Sequence, residues 1–160
     1  MSATTKVRPL GSTLRARGGR RTLWLAARAL GALSLLAVGA VHLQQYFKLY
    51  SDVPTIGTLF VLNFVSATIV GLGLLAPVER LFGRLGGAVL ALLTIAGIAQ
   101  AATAFVFLYI SERTPLFGFI EPGYDPTAIT TARITEVATV AFLGAFLVVR
   151  FLRRAPTLRW

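Results

Sequence analysis

Six polar side chains interrupt otherwise apolar stretches of this chain: His42, Gln45, Asn63, Gln100, Arg133 and Glu136. Their types suit proton transfer, hydrogen bonding to a small ligand, or cross-linking of helices. A charged side chain at membrane depth costs about 2.5–3.5 kcal/mol on insertion scales unless it is paired or hydrated, so Arg133 and Glu136 are the first candidates for a site. His42 and Gln45 stand three residues apart, as do Arg133 and Glu136, and that spacing puts each pair on one helix face. The economical arrangement turns both pairs inward, with Arg133, Glu136, Gln100, Asn63 and His42 satisfying one another. Such a layer is either a pocket for a small ligand, a lipid headgroup or a proton, or a hydrogen-bond network that fixes packing at about 0.6–2 kcal/mol per bond.

A second feature is the segment 111–125, Ser-Glu-Arg-Thr-Pro-Leu-Phe-Gly-Phe-Ile-Glu-Pro-Gly-Tyr-Asp. It is too apolar for a loop free in water. Phe117, Phe119 and Glu121 are candidates for a lid over the polar layer; the alternative is that the aromatic residues anchor the loop in the membrane interface.

The elements that must carry these residues are four apolar runs, at about 22–47, 55–77, 86–110 and 126–152. Each exceeds the ~20 helical residues that cross a ~30 Å hydrocarbon core. Charged residues are 14% of the chain, against about a quarter in soluble domains, which leaves too little polar surface to face water. The expected fold is all-α, a four-helix transmembrane bundle. Asp52-Val53-Pro54 and Asp125-Pro126 offer a polar cap next to a proline that suits a first helical turn, and Pro77 and Pro156 suit helix stops. Residues 1–21 form a basic arm with no apolar period, expected to be disordered, and residues 153–160 form a basic tail. Ala27/Gly31, Gly97/Ala101 and Ala141/Ala145 have the spacing that permits close helix contact, and Arg28 can snorkel from its run to the headgroups.

Charge orients the bundle. One side receives 13 basic residues, in the arm, Arg28, the 78–85 loop, Arg150 and the tail, against Glu79 alone. The other receives Lys48, Arg113 and Arg133 against five acids. Both termini are therefore expected in the cytoplasm, with the 48–54 and 111–125 loops outside. Counting inward from the run ends places Asn63 and Glu136 roughly 8 Å below the outer surface. A cleaved signal peptide would need a shorter apolar stretch than the first run, and Arg28 interrupts it.

Composition excludes much chemistry. With no cysteine there are no disulfides, thiolate nucleophiles or iron–sulfur clusters, and one histidine cannot supply both axial ligands of a haem within one chain. Neither a metal nor a cofactor is expected. No P-loop, HExxH or GxSxG motif is present. The net charge of +10 sits at the ends of apolar runs, which points to anionic lipid headgroups and not to nucleic acid.

His42 to Asn63 (HLQQYFKLYSDVPTIGTLFVLN), and Leu116 to Tyr124 (LFGFIEPGY) followed by a helix bearing Glu136, resemble a group of small uncharacterised four-helix integral membrane proteins of actinobacteria. The resemblance covers about residues 30–150 and leaves out both tails. It implies four-helix topology and a Gram-positive plasma membrane, but no activity. Likeness to DoxX-like proteins is at the level of topology only. The function expected from the residues is non-enzymatic: an accessory subunit or a ligand- or lipid-binding module. The alternatives are a small oligomeric transporter or channel, and a membrane redox protein binding haem or quinone around His42. Partners are expected among membrane lipids, other membrane subunits or further copies of the chain.

Overall fold

The computed structural model of the chain describes residues 10–154, with side chains over residues 22–150. Five α-helices follow one another: α1 (Leu10–Gln45), α2 (Pro54–Leu75), the single turn α3 (Val78–Leu81), α4 (Gly86–Ser111) and α5 (Pro126–Arg154). Four segments, Thr22–Tyr50, Pro54–Leu75, Gly83–Ser111 and Pro126–Arg150, are long and apolar enough to cross a membrane. The architecture is the four-helix transmembrane bundle that the four apolar runs imply.

Helices α2, α4 and α5 begin and end within two residues of the expected bounds. Helix α1 differs at both ends. It begins at Leu10, so residues 10–21 of the arm expected to be disordered continue the helix, while residues 1–9 lie outside the described residues. Once a helix exists, each added residue costs little, and the leucine and arginine residues of this stretch favour it. At the other end the α-helix gives way to a π-helix over Tyr46–Tyr50. The 78–85 loop contains α3 and a 3-10 turn over Gly83–Leu85.

Asp125 caps α5 as expected: its carboxylate accepts from the Ala128 N–H at 3.0 Å. At α2 the cap position is Val53, with no side-chain bond, and Pro54 occupies the first turn. Asp52 therefore does not act as the cap.

Helix α1 packs along α2 and α5, α5 along α4, and α4 against α2, which closes a ring in which the α2–α4 contact is the least extensive. The bundle has a basic end, carrying α3, and an acidic end, carrying the 51–53 turn and the 112–125 loop. The basic half is closely packed: Leu35, Leu74, Leu90, Leu143 and Phe146 are all 0% exposed. The Trp24 ring lies 5.2 Å from that of Phe146. A Cβ on Gly31 would come within 3.2 Å of the Leu143 backbone nitrogen, and one on Gly97 within 2.8 Å of Leu143 Cδ1. Small residues here let α1 and α4 approach α5 within the bundle.

Arg28 does not snorkel to the headgroups. It donates from Nε to the Leu74 carbonyl at 2.5 Å and from Nη2 to the Ala76 carbonyl at 2.6 Å. The Leu74 carbonyl, in the last turn of α2, has no partner within its own helix, so the part-buried guanidinium beside it is satisfied and satisfies it. Arg150 donates likewise to the Gly87 carbonyl at 2.6 Å. Glu79 lies between the two arginines, 4.0 Å from Arg28 and 3.6 Å from Arg150.

Candidate functional site

The acidic half is hollow. A cavity of about 400 Å³ lies between α1, α2, α4 and α5 and is covered by part of the 112–125 loop. Its volume falls within the ~300–1,000 Å³ of pockets that take a drug-sized molecule. Much of the wall is apolar, with Leu59, Phe60, Phe107 and Ile129 among its residues.

Five of the six expected polar-layer residues line this cavity: His42, Gln45, Asn63, Gln100 and Glu136. Glu136 is 1% exposed, and no donor among the described residues reaches either carboxylate oxygen. A buried polar atom normally has a partner, and leaving a charged one without one is costly. The other four are engaged. His42 Nδ1 lies 2.9 Å from the Val38 carbonyl one turn back in α1, and its ring meets Phe60 edge-on at 5.0 Å. A carbonyl only accepts, so the proton sits on Nδ1, and in the neutral ring Nε2 is an acceptor. Gln100 Nε2 donates across the α2–α4 gap to the Asn63 carbonyl at 2.9 Å, with Asn63 Oδ1 at 3.3 Å. Gln45 Nε2 donates to Asp125 at 3.0 Å.

Arg133 is the exception. The expected Arg133–Glu136 pair does not form. The guanidinium turns to Glu112 at the end of α4 and contacts both of its carboxylate oxygens. Three helical residues still leave about 60° between side chains, enough here to separate an inward residue from an outward one. A guanidinium–carboxylate pair in a part-exposed position also avoids the desolvation cost of a buried ion pair.

The loop carries functional groups beyond the expected polar layer. Glu121 is buried and accepts hydrogen bonds from the Tyr50 hydroxyl and, at 2.9 Å, from the Gly123 N–H. Its own N–H donates to the Ser111 carbonyl at 2.8 Å, which ties the loop to the end of α4. Tyr50 ends the π-helix, and the sequence offers no signal that this turn would aim its hydroxyl inward. Asp125 joins α1 to α5 by accepting from Gln45, with Lys48 Nζ at 3.7 Å. The Ala128 N–H, then Gln45, then Lys48 hold the Asp125 carboxyl below its ordinary value.

Of the expected lid residues, Phe119 and Glu121 line the cavity and Phe117 does not. Leu116 and Phe119 exchange backbone hydrogen bonds at 2.8 and 3.0 Å across a turn whose central residues, Phe117 and Gly118, have φ of 51° and 80°. Two successive positive φ values are the signature of a type I′ turn. It leaves Phe117 58% exposed, against the edge of Phe107 at 5.9 Å, and sets Phe119 perpendicular to Tyr50 at 5.6 Å.

The cavity meets the side of the bundle. Leu62, Ala99 and Thr103 line it and are also exposed, on the flank between α2 and α4 where the ring is least tightly closed. No group of three or more His, Cys, Asp or Glu residues placed to hold a metal occurs among the described residues.

Fold and site together define a four-helix transmembrane protein with a cavity on the acidic side. Comparison with family models, with curated proteins and with solved structures gives no match.

Proposed function

We propose that this chain is a multi-pass plasma-membrane protein that binds a small amphiphile in the cavity of its acidic half, with that half facing outside and both termini in the cytoplasm. The observation that carries the reading is Glu136, a buried carboxylate with no donor among the described residues, at the edge of a cavity large enough for a ligand. A packing network would use its most costly group; here the amides pair and the carboxylate does not. The exposed flank at Leu62, Ala99 and Thr103 supports access from the lipid of the outer leaflet. The likeness to small actinobacterial four-helix proteins and the charge asymmetry support the location and orientation.

A diazirine-bearing fatty alcohol, photolysed with the protein in nanodiscs, tests the binding reading. Peptide mapping is expected to find adducts at the cavity residues Leu59 and Phe107, and Ala104→Trp, which fills the cavity, is expected to reduce them. Adducts confined to outward-facing Leu92, Ile95 and Val148 would overturn it. Orientation is checked separately in this cysteine-free chain. An impermeant maleimide applied to intact cells is expected to label Tyr124→Cys and not Arg84→Cys.

A further inference from the structure

The chemistry around the cavity narrows the ligand, on the basis of the binding reading above. The ionisable side chains that line it are Glu136, Glu121, Asp125, His42 and Tyr50, with no lysine or arginine among them. The basic residues of the acidic end have other partners: Arg133 and Arg113 contact Glu112, and Lys48 lies beside Asp125. Asp125 is thus compensated, and Glu121 has two donors. Among the described residues Glu136 has neither a counter-charge in contact nor a hydrogen bond. A carboxylate is an acceptor, so its complement is a donor, and a positively charged donor forms the stronger, charge-assisted bond. The apolar wall at Leu59, Phe60 and Phe107 complements a hydrocarbon chain.

We propose that the cavity takes a protonated amine borne on a single apolar chain, with the ammonium N–H groups donating to Glu136 and the chain lying along the α2–α4 flank. The volume of about 400 Å³ admits the head and the first part of one chain, and the flank between Leu62 and Thr103 lets the remainder pass into the bilayer. An alkylamine, like the lysine ammonium with its ordinary value near 10.4, is charged at neutral pH. Burial then favours the pair over either group alone, because an unpaired charge at this depth is costly.

The test is competition against cavity photolabelling by the diazirine alcohol, in phosphatidylcholine nanodiscs whose own headgroup lacks N–H donors. Three competitors of one chain length are used: dodecylamine, dodecyltrimethylammonium and dodecanol. Dodecylamine is expected to displace the probe at about one-tenth the concentration of either of the others, the ratio that about 1.4 kcal/mol of charge-assisted bonding produces. Glu136→Gln is expected to erase that advantage, so that dodecylamine and dodecanol displace the probe at similar concentrations. The ranking is read on the unaltered chain, so it stands whether or not the variant folds. Equal displacement by all three would overturn the amine assignment while the binding cavity remains. A trimethylammonium as potent as the amine would replace the hydrogen-bonded head by a bare cation and equally overturn it. Absence of cavity labelling to compete for would remove the binding reading itself.

Discussion

The two halves of this bundle solve the problem of polar groups in a membrane in opposite ways. In the basic half two arginines drawn into the bundle are matched to carbonyls and to an opposite charge: Arg28 to Leu74, Ala76 and Glu79, Arg150 to Gly87 and Glu79. Side chains fill the space between them, down to Phe146 and Leu143 at zero exposure. In the acidic half the helices separate around a cavity, and of the two buried carboxylates on its wall Glu121 is satisfied while Glu136 is left without a donor among the described residues. The same four helices run through both halves, so the contrast comes from side chains. Large aliphatics and glycines interlock near Leu143, whereas Ala99, Ala104, Ala128 and Ala132 leave space where the cavity lies. A buried charge that is fully satisfied indicates structure; one left open beside empty volume indicates a ligand.

The comparison breaks most readily at the packed core. Phe146→Ala should destabilise the detergent-solubilised protein by about 3 kcal/mol, since lost contacts and a new void act together. Ala104→Leu, which adds volume on the cavity wall, should be neutral or stabilise by up to about 1 kcal/mol, as cavity-filling changes do. Equal losses in reversible unfolding would mean that the two halves are packed alike.

Next in size is the arginine clamp. Arg28→Met keeps the apolar stem and removes the donors to Leu74 and Ala76, and should cost about 2 kcal/mol by the same measurement. An unchanged unfolding midpoint would return Arg28 to the role of a headgroup-seeking side chain.

A smaller effect sharpens the boundary of the cavity. The Arg133–Glu112 pair is part-exposed, so its coupling in a double-mutant cycle should be about 0.5 kcal/mol. The corresponding Arg133–Glu136 cycle should give less. The reverse order would show the guanidinium turned back into the cavity and Glu136 already paired.

The smallest effect is a pH dependence. The Asp125 carboxyl is held below its ordinary value of 3.8 by the Ala128 N–H, Gln45 and Lys48. Its contribution to stability is therefore complete above the unfolded value and is lost as pH falls through the lower folded value. Asp125→Asn should remove that acid-limb decline by lowering stability at neutral pH toward the level the unaltered chain reaches in acid. An identical acid limb in the variant would assign the decline to other carboxyls.

Much of this arrangement is legible in the amino-acid sequence. Runs longer than 20 apolar residues fix four spanning helices through length alone, and prolines at 54, 77 and 126 confine their ends. Glu136, Asn63 and Gln100 stand out because a polar residue inside such a run has few acceptable positions. Partners are less legible. Arg133 pairs with Glu112, which lies just beyond the third run and so does not figure among intramembrane groups. Arg28 depends on where α2 ends beside α1, a tertiary fact that no local pattern encodes. The inward Tyr50 hydroxyl depends on a π-helical turn, which Tyr-Phe-Lys-Leu-Tyr does not announce. The cavity itself reflects how alanines on α4 and α5 coincide, and periodicity within one helix cannot supply that.

The central claim, that the acidic half encloses a cavity a small molecule can enter while the basic half does not, is tested most directly by thiol reactivity in this cysteine-free chain. Single substitutions Ala104→Cys, on the cavity wall, and Ala67→Cys, in the packed core at zero exposure, are treated in nanodiscs with a small uncharged maleimide. The thiol at 104 is expected to react, saturating dodecylamine is expected to slow it, and the thiol at 67 is expected to stay unmodified until the protein unfolds. Equal protection of both thiols, or reaction at 104 that no amphiphile slows, would contradict the claim.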